Sequence, residues 1–467
     1  MASAQTSRRR PAGGRRFGLL WFREAVDEAA RSSPARLALS VFAGVIAVFT
    51  ALLSLPFATA SGQVTPLPDA LFMATSAVCV TGLVTVNIAE YFSGFGQVVL
   101  LVAMQVGGLG VLTLASILGM TVSRRLGLRQ RLIAASETKA LRLGEVGSLL
   151  RTIVLVVLSL EAVVFASLTA RFLTLGEPLG KAVWEGVFYA VSSVNNVGFV
   201  LHAEGLDQFV GDAWFSLTIA AAVFVGSLGF PVLFVLLRSL RPRHWDLHTQ
   251  LTVGATTLLL GAAVLTIGAM EWANPATLGA LSVPDRLLAS VFAGVMPRSG
   301  GFSTLDVAAM NHETWLVTDA LMFVGGGSAS TAGGIRVTTL AVLFLAVVAE
   351  ARGDADVEFR RRRIPAASIR IAITVVLVGA TVVLASTLAL MGLTEYELDQ
   401  ALFEVLSAFA TCGLTTGITP DLPDPAKYLL SVTMFVGRTG TMTLAAALAL
   451  RERRRMYRLP EERPIIG

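Results

Sequence analysis

Residues 76–83 read SAVCVTGL, and what surrounds this octet decides how the chain folds. Three other stretches match it in register: SSVNNVGF (192–199), VMPRSGGF (295–302) and SAFATCGL (407–414). Each closes on a glycine followed by Leu or Phe, at Gly82, Gly198, Gly301 and Gly413. Ten residues before the glycine stand Phe72, Phe188 and Phe403; the third stretch has Val291 there, with Phe292 beside it. The tripeptide Ala-Leu-Phe occurs at both 70–72 and 401–403. About ten residues before each glycine are helix-compatible and moderately apolar, too short to cross a bilayer and suited to a re-entrant half-helix. One such segment would pass for an ordinary external loop; four in register indicate an internal repeat.

The flanking sequence supplies the setting. The 467 residues are 54% hydrophobic and 15% charged, well below the roughly 25% charge of soluble domains. Charge-free runs at 37–68, 92–123, 213–237, 249–270 and 371–394 are long enough to span. Runs at 152–170, 315–348 and 428–450 hold one or two charges and can also span, and 182–201 is shorter and mixed. This is the composition of a polytopic membrane protein. Two cysteines, Cys79 and Cys412, give no disulfide framework.

Basic residues gather in alternate loops. The clusters are Arg8–Arg10 with Arg15 and Arg16; Arg124, Arg125, Arg129 and Arg131; Arg238, Arg241 and Arg243; Arg360–Arg363; and Arg451 with Arg453–Arg455. The intervening loops are neutral or acidic, as at Glu204, Asp207 and Asp212. The pattern places both termini in the cytoplasm and requires an even number of spans. It also assigns the net charge of +5 to membrane topology rather than to nucleic acid. The expected fold is all-α, with four units of span, pore helix, filter loop and span, giving eight full transmembrane helices around a central ion pore. The units cover 37–123, 150–238, 249–348 and 371–450, between a basic segment 1–36 and a tail 451–467. Non-helical backbone at membrane depth is tolerated where it is buried or lines a wet cavity. Inward carbonyls replacing an ion's hydration shell are a known use of it, and Val80-Thr81-Gly82 is a shortened relative of the TVGYG filter.

With these motifs, the sequence resembles the Trk/Ktr/HKT superfamily of potassium transporters, and within it the KtrB type of subunit. The resemblance rests on the four filter segments, on STAGGI (330–335) and on MFVGRTG (434–440), and covers roughly 37–450. It implies potassium uptake across a bacterial inner membrane, with potassium bound only at the filter and sodium as a candidate activator. It also implies a homodimer of two pores in contact with membrane lipids. A separate cytosolic RCK-type ring would bind ATP or ADP. A TrkH-like or sodium-coupled transporter with weaker potassium selectivity is the alternative. Glycine at all four filter positions favours potassium. Departures from the family pattern are Pro297 and Gly300 in the third filter, Ala329 where Gly is frequent, and Arg336 where Lys is usual.

The filter residues expected on this basis are Val78, Cys79, Val80, Thr81 and Gly82; Asn195, Asn196, Val197 and Gly198; Arg298, Ser299, Gly300 and Gly301; and Ala410, Thr411, Cys412 and Gly413. Asn195 and Asn196 could line the mouth or stabilise a turn. Arg298 should point behind the filter, because a cation on the ion path would repel the substrate. The stretch GGGSASTAGGIR (325–336) fails both G-x-x-x-x-G-K-[ST] and G-x-G-x-x-G, and no strand–helix alternation surrounds it. No catalytic constellation emerges, which argues against an enzyme. The loop is instead expected as a gate, made of Gly325, Gly326, Gly327, Ser328, Ala329, Ser330, Thr331, Gly333 and Gly334. Glu161, Asp319, Arg336 and Arg438 are charges inside apolar runs, each costing at least about 2.5 kcal/mol unless paired or wet. Arg438 either latches the gate loop or forms a salt bridge with Glu161 or Asp319. The basic run 358–365 is a patch facing lipid headgroups or a regulator, or a solvated face.

Overall fold

The computed structural model describes residues 34–125, 146–360 and 362–440. The basic segment up to residue 33, Arg129, Arg131, Arg361 and everything from residue 441 lie outside the described residues. Helix dominates, as a lipid-soluble chain requires, because each backbone group must find its partner within the chain.

The helices fall into four successive groups. The first holds α1 (Pro34–Leu53), α2 (Leu67–Cys79), the one-turn α3 (Ile88–Tyr91) and α4 (Gly94–Arg125). The second holds α5 (Val146–Thr174), α6 (Leu179–Val194), α7 (Ala213–Leu228) and α8 (Phe230–Arg238). The third holds α9 (Leu247–Glu271), α10 (Val283–Val295), α11 (His312–Phe323) and α12 (Val337–Arg352). The fourth holds α13 (Ala366–Leu393), α14 (Leu398–Ala410) and α15 (Asp424–Phe435), which runs into a π turn at Val436–Gly440. A two-residue hairpin pairs Glu358–Phe359 with Arg362–Arg363.

The four short helices α2, α6, α10 and α14 have 13, 16, 13 and 13 residues, or about 20–24 Å at 1.5 Å per residue. Each packs against the long helix that precedes it in its own group. Each also packs against a helix of the group before: α6 on α4, α10 on α7 and α14 on α11. Helix α2 packs on α15, so the first and fourth groups close a ring. That closure holds a buried ion pair, Lys427 Nζ to Asp69 at 2.7 Å. The long helices turn apolar side chains outward: Leu258 and Leu265 on α9 are 73% exposed, and Leu384 and Leu388 on α13 are 62% exposed. Buried polar groups meanwhile collect at the centre, which inverts the usual water-soluble pattern.

The described residues alone do not show all eight expected spans. Among the described residues three helices are long and apolar enough to cross a membrane: Arg151–Thr174, Leu247–Glu271 and Ala366–Leu393. A fourth is the pair α7 and α8, bent by 103°. Interruption accounts for part of this, and the last run continues beyond residue 440, outside the described residues. The apolar run 213–237 bends at Gly229, which adopts φ +92°. The run 315–348 is opened between α11 and α12, and the run from 428 changes to a π turn at Val436.

Candidate functional site

The four glycine stretches meet at one place. Each follows the C-terminus of its short helix, at Cys79, Val194, Val295 and Ala410. Two left-handed residues then recur at a fixed spacing. The first is Val80, Asn196, Ser299 or Thr411, with φ between +47° and +72°, and the second is the glycine two residues on, with φ between +70° and +100°. A β-branched residue held at positive φ, as Val80 and Thr411 are, is rare and strained. Its fourfold recurrence marks a backbone shape imposed by the surroundings.

The residue just before each glycine has its N–H tied back to the short helix. Thr81 donates to the Ser76 carbonyl at 2.8 Å, Val197 to Ser192 at 2.7 Å, Gly300 to Met296 at 2.8 Å and Cys412 to Ser407 at 2.8 Å. Ser76 and Ser407 hydroxyls accept from Gly82 and Gly413 at 3.1 and 3.0 Å. The carbonyls of those same four residues face forward. A Cβ built on Gly82 would strike the Val197 oxygen, and one on Gly413 would strike the Thr81 oxygen. One on Gly301 would lie 2.6 Å from the Cys412 oxygen, and one on Gly198 2.9 Å from the Gly300 oxygen. Four equivalent carbonyls therefore converge with only glycine between them. The adjoining helix C-termini carry partial negative charge. The arrangement suits a bare cation and excludes any side chain.

Side chains of the same stretches turn away from the convergence. Asn195 reaches Glu161 on α5 at 2.9 Å and Gln105 on α4 at 3.1 Å. Asn196 donates to the Val223 carbonyl at 3.1 Å and accepts from Thr331 at 3.1 Å. Arg298 is buried and donates to the carbonyl and hydroxyl of Thr256 on α9, at 2.9 and 3.2 Å, rather than to the carbonyls of its own stretch. Cys412 points its thiol at the Met296 and Pro297 carbonyls, 3.5 Å from each, and Cys79 is fully buried. Gln105, Thr256 and the bend at Gly229 were not singled out in the sequence. The first had a signal, a Gln inside a charge-free run that also holds Gln97, and the other two carried none.

The segment 324–336 lies against this centre. The Ser299 hydroxyl donates to the Thr411 carbonyl at 2.6 Å and accepts from Gly333 N–H at 3.1 Å. The bend in the second group receives the other edge: Gly327 N–H donates to Ser227 at 2.8 Å, and Phe230 N–H to Ala329 at 3.1 Å. Ala329 itself sits at φ +56°. Arg336 folds back on its own segment and donates to the Ala332 carbonyl at 2.5 Å. Arg438, 1% exposed and on the π turn, donates to the Thr331 carbonyl. Of the three partners open to Arg438 in the sequence, the loop, Glu161 and Asp319, the geometry brings it to the loop. Glu161 is engaged by Asn195 and Gln105 instead. π turns of this kind recur at functional positions.

Over residues 18–456 the chain matches the TrkH family model, described as cation transport protein. It is 36% identical over 421 residues to Ktr system potassium uptake protein B of Bacillus subtilis, covering 90% of this chain and 93% of that one. It is 33% identical over 458 residues to the protein of the same name from Vibrio alginolyticus, covering 96% and 98%. It is 32% identical over 449 residues to the potassium/sodium uptake protein NtpJ of Enterococcus hirae, covering 94% and 98%. The crystal structure of the potassium transporter TrkH from Vibrio parahaemolyticus superposes with a TM-score of 0.69 at 17% identity, over 87% of this chain and 84% of that one.

Proposed function

The chain belongs to the TrkH family of cation transport proteins, and from that premise we propose that it takes up potassium across the cytoplasmic membrane through the ring of converging carbonyls. The single observation that carries this reading is that ring: the Thr81, Val197, Gly300 and Cys412 oxygens face one another across Gly82, Gly198, Gly301 and Gly413. Carbonyl dipoles can replace the hydration shell of a monovalent cation. The four helix groups are then four pore units, 37–123, 150–238, 249–348 and 371–450, in an eight-span arrangement in which several second spans are interrupted. Two relatives at 33–36% identity carry potassium uptake in their names.

The 325–334 loop is the gate on this reading, and Arg438 its latch. Its glycines and hydroxyl residues let the chain leave the helix beneath the filter, and the Arg438 contact with Thr331 holds it there. Basic loops on one side give both termini a cytoplasmic location. A homodimer, and a cytosolic RCK-type ring that binds ATP or ADP, complete the assembly on the pattern of the family.

A second reading, a potassium/sodium transporter of weaker selectivity, is favoured by one feature. The third stretch carries Pro297, which lacks an N–H, and Gly300 beside Gly301, and one relative is named for both ions. Potassium flux into liposomes, with sodium as competitor and with or without the nucleotide-binding ring, separates the two. Potassium uptake should persist in excess sodium; equal flux of the two ions would overturn the first reading in favour of the second.

A further inference from the structure

Two of the four glycine stretches are roped outward to the long helix that begins their own group, and two are not. The rope leaves from the third residue before the glycine. In the second stretch that residue is Asn195, whose Nδ2 donates to Glu161 on α5 at 2.9 Å. In the third it is Arg298, whose Nη1 donates to the Thr256 carbonyl on α9 at 2.9 Å. In the first and fourth stretches the same position holds Cys79 and Ala410, which have no such reach. The sequence distance from the long-helix partner to the glycine differs, yet the direction of the bond is the same.

The Asn195 rope is a built feature. Gln105 on α4 closes a triangle, accepting from Asn195 at 3.1 Å and donating to the second Glu161 oxygen at 3.2 Å. Glu161 is 7% exposed and Asn195 fully buried. Helix α4 makes room for the amide with a glycine: a Cβ on Gly108 would collide with Asn195 Oδ1. A carboxyl group at this depth is expensive, and an apolar residue would pack at least as well against α4 unless the hydrogen bonds matter. Asn195 directly precedes Asn196, the left-handed residue that shapes the carbonyl of Val197. A displacement of the Asn195 side chain is therefore passed to the ring within two peptide units.

We infer that Glu161 is a positioning residue for ion discrimination: with Gln105 it holds the Asn195 amide and so fixes where the Val197 carbonyl stands in the ring, as Thr256 does through Arg298 for Gly300. Such bonds hold the ring open to one diameter on two sides. The inference rests on the transport reading above, but not on which cation is preferred.

The test measures uptake of potassium and sodium into liposomes by the purified full chain, and takes the ratio of the ion favoured by the unaltered protein to the other. Glu161→Ala and Asn195→Ala should each lower that ratio about fivefold, the loss expected for one buried hydrogen bond. The double variant should lie no lower than either single one. Glu161→Gln keeps an acceptor toward Asn195 and should stay close to the unaltered ratio. Gln105→Met removes only the third side and should give a smaller fall. If Glu161→Ala does not yield folded protein, Gln105→Met and Asn195→Ala carry the comparison. Unchanged ratios in folded Asn195→Ala and Gln105→Met overturn the inference, as does a multiplicative loss in the double variant. Absence of any cation uptake by the unaltered chain would instead strike the transport reading. In that event the ropes are tested by potassium's protection against thermal unfolding, which Asn195→Ala should weaken.

Discussion

Two kinds of irregular backbone lie buried at the middle of this protein, and they treat their carbonyls in opposite ways. In the glycine stretches the N–H groups are tied back to the short helices, and the Thr81, Val197, Gly300 and Cys412 oxygens face forward with no donor among the described residues. In the 324–336 loop several oxygens are taken. Ala332 accepts from Arg336, Thr331 from Arg438, Ala329 from Phe230 N–H and Gly326 from Val337 N–H. On the transport reading, the first region receives a cation. The second already holds two guanidinium groups where a cation would otherwise bind. On the transport reading, the same backbone chemistry gives a passage in one place and a bar in the other, and the difference is which groups arrive to satisfy it.

Filling the ring should break the contrast most severely. Gly413→Ala places a Cβ against the Thr81 oxygen at φ +96°; a strain of about 3 kcal/mol or less still corresponds to a potassium uptake loss of roughly a hundredfold. Uptake that survives in a folded variant would mean that the ion does not pass the ring. Unlocking the loop comes next. Arg438→Ala removes the donor to Thr331, and steady potassium flux should rise about tenfold, the worth of one charge-assisted hydrogen bond. Deletion of 326–331 should raise it in the same direction, and no change in either variant would deny the loop a gating part. Ser299→Ala cuts a hydroxyl that joins the two regions, at Thr411 and Gly333. It should shift flux and ion preference together, by about fivefold or less.

The smallest effect lies outside the membrane-spanning segments, at His202 beside Tyr189. Burial lowers the imidazole below the ordinary histidine range, with Lys181 acting the same way and Glu177 opposing. A group depressed on folding contributes stability above its unfolded value near 6.5, and loses it as pH falls. The fall in Tm between pH 7 and pH 5 should therefore shrink by about 1–2 °C in His202→Phe, measured by thermal unfolding in detergent.

The ring was legible in the sequence because its demand is local. A carbonyl that must face forward between close neighbours needs glycine, and four glycines in register announced it at positions 82, 198, 301 and 413. The interruption at 325–336 was legible for the same reason, since so many small residues cannot stay helical. What escaped depends on distance through space. Nothing near Asn195 names Glu161, 34 residues away, as its partner, or Gln105, 90 residues away. Gly229 reads as an ordinary glycine in an apolar run, and its bend exists because the loop from another group supplies the donors and acceptors that the break sets free. Apolarity likewise counted runs that could span, while the interruption in 213–237 arises from docking against the 324–336 loop that composition does not encode.

That bend has a mechanical consequence. Helix α8 has nine residues, an arm of about 13 Å, hinged at Gly229. Its first N–H is bonded to Ala329, and Arg238 at its far end lies over the Phe234 ring at 3.9 Å. A tilt of roughly 10° would carry the far end by about 2 Å and the bonded end by only a few tenths of an ångström. The arm is a reduction gear. A coarse push at the rim reaches the centre as a displacement on the scale of a single hydrogen bond, fine enough to tune the loop without tearing it loose.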